Sequence, residues 1–260
     1  MPFTLAHAAA AWPFRRTSLI PSAVVVGTFA PDFEYFARLT PGGHFGHTLA
    51  GMFLLDLPLS LVVLWLFHAF MKEPIVGLLP FAIQSRMRQD RGRFRFWGPG
   101  RLAIIAGSIL VGVGTHILWD SFTHADYWLY QHWRLMSETV RLPIVGDVFY
   151  YKLFQHGSTV AGSAILLIWF LHWYRNASPQ PRVSPSPLSL SKKRWLIVSL
   201  VLIALCGALI RSFASLAGPA SARAPETVLG DAVVTAITLI WLQLLAYGII
   251  RSRNRQREQG

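Results

Sequence analysis

The chain has 260 residues, 53% of them hydrophobic and only 14% charged, with a formal net charge of +12 and a positive mean hydropathy. A water-soluble domain of this size carries about 25% charged residues, so the composition excludes a globular protein whose whole surface faces water. The single cysteine, Cys206, lies in an apolar run, which excludes a disulfide framework and a cysteine-based zinc site.

In chain order, residues 1–11 carry no basic leader, and Arg15 and Arg16 follow the first apolar stretch. No cleavable signal is expected, and insertion rests on internal helices. The Ala-rich run around His7 predicts a short helix starting near Thr4. Residues 19–30 are apolar but short and bounded by Pro21 and Pro31, which reads as a half-helix packed on a bundle.

Five stretches then approach the ~20 apolar residues needed to cross a bilayer. They run over 52–70, 102–122, 158–174, 195–210 and 228–250, the fourth being the shortest. Trp119, Trp173, Tyr174, Trp195 and Tyr247 mark their ends as interfacial anchors. The expected fold is an all-α polytopic transmembrane helix bundle of about five spans. Its N-terminal segment packs on the outer side. The expected division is a membrane domain over 1–176, a Pro/Ser-rich basic linker over 177–194, and a C-terminal helix pair with a basic tail over 195–260.

Loop charges orient this bundle. The loop between spans one and two, the linker and the tail hold sixteen of the 24 Lys and Arg; the opposite loops hold eight. The positive-inside rule therefore expects a multi-pass protein of the bacterial inner membrane, C-terminus cytoplasmic and first fifty residues outside. The same rule accounts for the basic excess without a nucleic acid partner.

Seven of the nine histidines then fall on the outer side: His7, His44, His47, His116, His124, His132 and His156. His68 and His172 fall near inner ends and, like His132, read as structural or interfacial. The sharpest motif is His116-x-x-x-Asp120 with His124 a turn further on. Residues i and i+4 share a helix face about 6 Å apart along the axis. An imidazole and a carboxylate so placed can ligate one zinc ion at ~2.0–2.2 Å. The same pair can equally be a hydrogen-bonded helix cap, although ionisable groups in lipid are costly and usually functional. Gly43-His44-Phe45-Gly46-His47-Thr48 offers two imidazoles on a turn, or an interfacial loop. Asp32, just after Pro31, is a ligand or an ordinary turn residue. His156 sits at the mouth of span three, with Ser158 the expected N-cap. Asp56 reads as a supporting partner of the cluster or a buried hydrogen-bonded residue.

Taken together, the opening Met-Pro-Phe-Thr-Leu-Ala-His, Ala30-Pro31-Asp32-Phe33, Asp56-Leu57-Pro58-Leu59, His116-x-x-x-Asp120-Ser121-Phe122-Thr123-His124 and Gln155-His156-Gly157-Ser158 resemble the uncharacterised bacterial family 4184 of domains of unknown function. More loosely, the order His, Pro-Asp, Gly-x-x-His-Thr, His-x-x-x-Asp is similar to inner-membrane predicted metal-dependent hydrolases and to the zinc-dependent phospholipase C group. Carried over residue by residue, that likeness implies His7, Asp32, His47, His116 and Asp120 as metal ligands, with His124 and His156 beside them. The chain departs from the phospholipase pattern by lacking a second His-x-x-x-Asp/Glu pair and by being membrane-embedded. One or two ions are therefore expected rather than three.

The expectation is a membrane-embedded hydrolase using a divalent metal, Zn²⁺ foremost, on a phosphoester of a lipid or lipid-linked substrate. The ions lower the pKa of a bound water to about 7 and stabilise phosphoryl charge. Asp32 or Asp120 bridges metals, and His44 or His156 acts as general acid or base. Two alternatives stay open: a non-catalytic membrane scaffold or sensor, and a metal or proton transporter. The oligomeric state is not legible.

Overall fold

Five helices are long and apolar enough to cross a membrane, over Leu49–Leu78, Arg101–Thr123, Tyr150–Asn176, Leu190–Ala217 and Pro225–Asn254. The computed structural model describes residues 4–87, 94–98, 100–125, 127–143, 146–180, 188–219 and 224–259. Arg88, Arg91, Arg93, Arg182 and Arg223, all used in the charge count, lie outside the described residues, as does the middle of the Pro/Ser-rich linker. The chain is an all-α, multi-pass membrane protein, because in hydrocarbon only a helix satisfies its own backbone within one segment.

Every span is longer than its apolar run, since the helix continues through flanking polar residues. Span three is the clearest case. It starts at Tyr150, so Ser158 lies inside the helix and does not cap it; its hydroxyl donates to the Gln155 carbonyl at 3.0 Å. The expected half-helix is present as Pro21–Gly27, followed by a 3₁₀ turn at Ala30–Asp32. A 3₁₀ helix over Thr4–Ala11 carries His7.

Span one contains two wide turns, Met52–Asp56 and Phe67–Met71. Pro58 and Pro74 follow them. A proline has no N–H and crowds the carbonyl four residues back, which lies inside each wide turn. Asp56 sits in the first.

The described residues divide into two compact units. The first comprises 1–32, 44–62 and 96–175, and holds the N-terminal segments, the start of span one, and spans two and three. It also holds a small hairpin in which β1 (Thr139–Leu142) pairs antiparallel with β2 (Gly146–Phe149), Thr139 opposite Phe149. The second comprises 33–43, 63–95 and 176–260. There spans four and five pack together. Asp231 accepts from Ser215 Oγ at 2.6 Å and pairs with Arg211 at 3.2 Å, while Arg211 Nε donates to the Leu39 carbonyl at 3.1 Å. His68 belongs to this unit and stacks on Phe94 at 3.9 Å.

In the first unit, a stripe on span two does the positioning. Ser108, Gly112, His116 and Asp120 recur every four residues and all are buried. Ser108 Oγ accepts from the Ile20 N–H at 3.0 Å. A Cβ at Gly112 would collide with the Val24 carbonyl oxygen and lie 2.8 Å from Thr28 N; one at Gly27 would collide with the Ile109 carbonyl. The half-helix therefore packs on span two backbone against backbone, the close approach that small residues permit between membrane helices.

Candidate metal centre

That close approach delivers a carbonyl to a histidine. One turn beyond Gly112, His116 Nδ1 donates to the Thr28 carbonyl at 2.8 Å, in a fully buried setting. A carbonyl only accepts, so Nδ1 carries a proton and the ring turns Nε2 toward the cluster. Metal-binding histidines are held in this way. Nε2 points into a group of carboxylate oxygens, 3.2 Å from Asp120 Oδ2 and 3.7 Å from Asp32 Oδ1. Among the described residues no hydrogen bond reaches His116 Nε2 or Asp120 Oδ1.

Asp32 comes from the 3₁₀ turn at the end of the half-helix. Its Oδ2 accepts from Thr4 Oγ1 at 2.7 Å, which turns Oδ1 toward the histidines. In a 3₁₀ helix residues i and i+3 eclipse, so the segment that supplies Thr4 also presents His7 on the same face. His7 Nε2 lies 3.5 Å from Asp120 Oδ1, and its ring stacks on His116 at 4.1 Å. His47 enters from the loop before span one. A Cβ at Gly46 would lie 2.8 Å from the Pro31 carbonyl oxygen, so bare glycine lets that loop lie against the Asp32 turn. His47 Nε2 then stands 3.5 Å from Asp120 Oδ2 and 3.9 Å from Asp32 Oδ1.

These distances discriminate between the two readings of the cluster. Hydrogen bonds from nitrogen to oxygen run at about 2.7–3.2 Å, and most of these separations are longer. Two ligand atoms on one tetrahedral ion, each ~2.0–2.2 Å from it, stand roughly 3.3–3.6 Å apart. His7, His116 and Asp120 form one set with ligand atoms mutually within 4.8 Å; Asp32, His47 and His116 form another. Asp120 turns one oxygen toward His7 and the other toward His47 and His116, the disposition of a bridging carboxylate.

Electrostatics point the same way. The side chains of His7, Asp32, His47, His116 and Asp120 are 0–5% exposed. Burial, with His116 beside it, lowers the His7 pKa to about 3, so its imidazole is neutral. Burial also raises the Asp32 carboxyl and lowers His124. No Lys or Arg pairs with either aspartate among the described residues. Two buried carboxylates side by side are costly unless positive charge joins them. The donor set of nitrogens and carboxylate oxygens suits zinc.

Of the eight residues singled out from sequence, five converge. His124 stands at the rim, its Nδ1 3.7 Å from Asp120 Oδ2 and its side chain 20% exposed. His44 and His156 are exposed, and no hydrogen bond or ion pair joins either to the cluster among the described residues. His132 and His172 are exposed as well. Thr4, the Thr28 carbonyl and Tyr127, whose ring lies 6.0 Å from His47 and 5.7 Å from His124, were not singled out. A threonine three residues before a histidine in a short helix is a faint signal for the first; a backbone carbonyl leaves none.

A helical membrane bundle with a buried His/Asp cluster at one end of its spans is the class that the fold and site define. Within that class, the chain belongs to the family described as Domain of unknown function (DUF4184), whose model matches residues 1–249. No curated protein and no solved structure matches it.

Proposed function

We propose that this protein is a membrane-embedded metal-dependent hydrolase acting on a phosphoester of a lipid or lipid-linked substrate, with the centre outside and the C-terminus cytoplasmic. The observation that carries the reading is His116 Nε2, its ring oriented by the Thr28 carbonyl, facing two buried carboxylates at 3.2 and 3.7 Å. His7, Asp32, His47, His116 and Asp120 hold one or two zinc ions. When bound, the metal supplies Lewis acidity and draws charge from the phosphoryl oxygens. Asp120 links the two halves of the ligand set, and Asp32 is held in place by Thr4. His124, partly exposed beside Asp120, takes the proton-transfer role expected of His44 or His156. Water attacks phosphorus, the phosphorus–oxygen bond to the alcohol breaks, and the proton passes to the leaving alkoxide.

The transporter reading asks for polar groups continuing through the bilayer. On span one the buried stripe runs Asp56, Ser60, then Leu64; on span two, below Ser108, it turns to Ile105. That favours a site serving one face.

The test is elemental analysis of detergent-purified protein together with phosphate release from phospholipid in mixed micelles. At least one zinc per chain is expected, with release abolished by chelation and restored by zinc. Protein that binds no zinc, even when supplied, leaves the scaffold reading in its place.

A further inference from the structure

A cavity of about 420 Å³ opens between spans two and three, within the range of roughly 300–1,000 Å³ typical of ligand sites. Its walls are Trp119 of span two and one face of span three, with Tyr150, Phe154, Gly157, Ser158 and Ala161 on it, and the lining is almost wholly apolar. Both walls adjoin segments that carry the centre. Trp119 adjoins Asp120 in sequence and lies one turn from His116. Gly162, next to Ala161, packs against Ala6, the neighbour of His7.

We propose that this groove receives one acyl chain of a phospholipid and so presents its phosphate to the metal centre; the proposal rests on the hydrolase reading and names its substrate. Three observations select that occupant. The walls are membrane spans whose lining side chains are apolar and exposed, Trp119 at 44% and Phe154 at 43% among them, which suits hydrocarbon. From Tyr150 to Ala161 the helix rises about 16 Å, close to the depth of one leaflet of a ~30 Å hydrocarbon core. At the first turn of the same helix stands Lys152, its ammonium 5.7 Å from the Tyr151 ring, a cation at the end of the helix where an anionic headgroup would sit.

An acyl chain that leaves bilayer hydrocarbon for an apolar groove gains no transfer free energy, because lipid is as apolar as the groove. The groove therefore orients the substrate, and its loss lowers turnover more than it raises KM.

Gly157→Leu separates the possibilities. A Cβ at Gly157 meets nothing within 4 Å, so a side chain has open space at its root in the groove lining, and leucine is the better helix former. The full chain goes into nanodiscs containing a phosphatidylglycerol with a diazirine in one acyl chain. Photolabel should concentrate on Trp119 and residues 150–161. In Gly157→Leu it should fall there at least fivefold, with label on spans four and five and zinc content unchanged. Even labelling of all spans in the unaltered protein, or groove label that survives Gly157→Leu, overturns the groove. In micelles the variant should cleave phosphatidylglycerol about tenfold more slowly and p-nitrophenyl phosphate at the unaltered rate. Equal slowing of both substrates overturns the orienting role. Groove labelling as expected with neither substrate cleaved leaves a lipid site and removes the hydrolase reading alone.

Discussion

Two buried aspartates in this protein face opposite situations. Asp231, between spans four and five, has a charge of opposite sign in Arg211 and a hydroxyl donor in Ser215, at 3.2 and 2.6 Å. Asp120 has no Lys or Arg beside it among the described residues. It faces His7, His47 and His116 at 3.2–3.5 Å, and a second carboxylate, Asp32, shares two of these histidines. The first arrangement is neutral as the chain supplies it. The second has no such partner among the described residues, and under the proposed function a metal ion supplies the positive charge. Burial alone therefore does not mark a ligand site; the sign of what surrounds the carboxylate does.

The widest difference should come from exchanging each aspartate for its amide. Asp120→Asn keeps the shape and removes the charge that offsets a divalent ion; bound zinc should fall below a tenth of its normal content, and hydrolysis more than 100-fold. Asp231→Asn should leave zinc content unchanged and instead lower stability by about 1–3 kcal/mol, since it leaves Arg211 without its partner. Elemental analysis and thermal unfolding of the two variants side by side decide this. Zinc lost from Asp231→Asn, or kept by Asp120→Asn, erases the distinction.

A smaller effect is expected at Gly112. Alanine there strikes the Val24 carbonyl and pushes the half-helix off span two, taking the Thr28 carbonyl from His116 Nδ1. Groups that orient a ligand contribute about 10–100-fold to metal affinity. Competition with a fluorescent zinc chelator should show a loss in that range, while Gly114→Ala, whose Cβ meets nothing within 4 Å, should show none.

The spans were legible because hydropathy reports them directly, and His116 with Asp120 because one helix repeat relates them. Convergence of His7, Asp32 and His47 was visible only as shared membrane side and as family likeness. Membrane side gives depth but not direction. His156 shows the difference: at the correct end of span three it is exposed, while Gln155, about 100° round the helix, is buried. His44 and His47 divide likewise, because Gly46 against Pro31 decides which imidazole turns inward. The Arg211–Asp231 pair escaped notice since its residues lie on different helices with no motif between them.

The smallest change expected is at Thr4. Valine there removes one hydrogen bond to Asp32 Oδ2, a contribution of about 0.5–1.5 kcal/mol, so zinc affinity should drop roughly 2–12-fold in the same competition assay. His68→Gln and His172→Gln, away from the cluster, should stay within twofold. A variant of either that loses zinc moves the centre elsewhere.

The hydrogen bond from His116 to Thr28 joins residues 88 positions apart. At 5–20 residues per second of synthesis, that separation is about 4–18 s. Once His47 is made, 69 positions before His116, His7, Asp32 and His47 all exist while the histidine and carboxylate that complete both sets have not been made. Under the proposed function a cation would therefore be taken up late in biogenesis, once span two has entered the bilayer and brought its stripe against the half-helix. A lesion that delays insertion of span two leaves three of the five cluster residues waiting in an unfinished protein, and under the proposed function its first consequence would be a failure of metal loading.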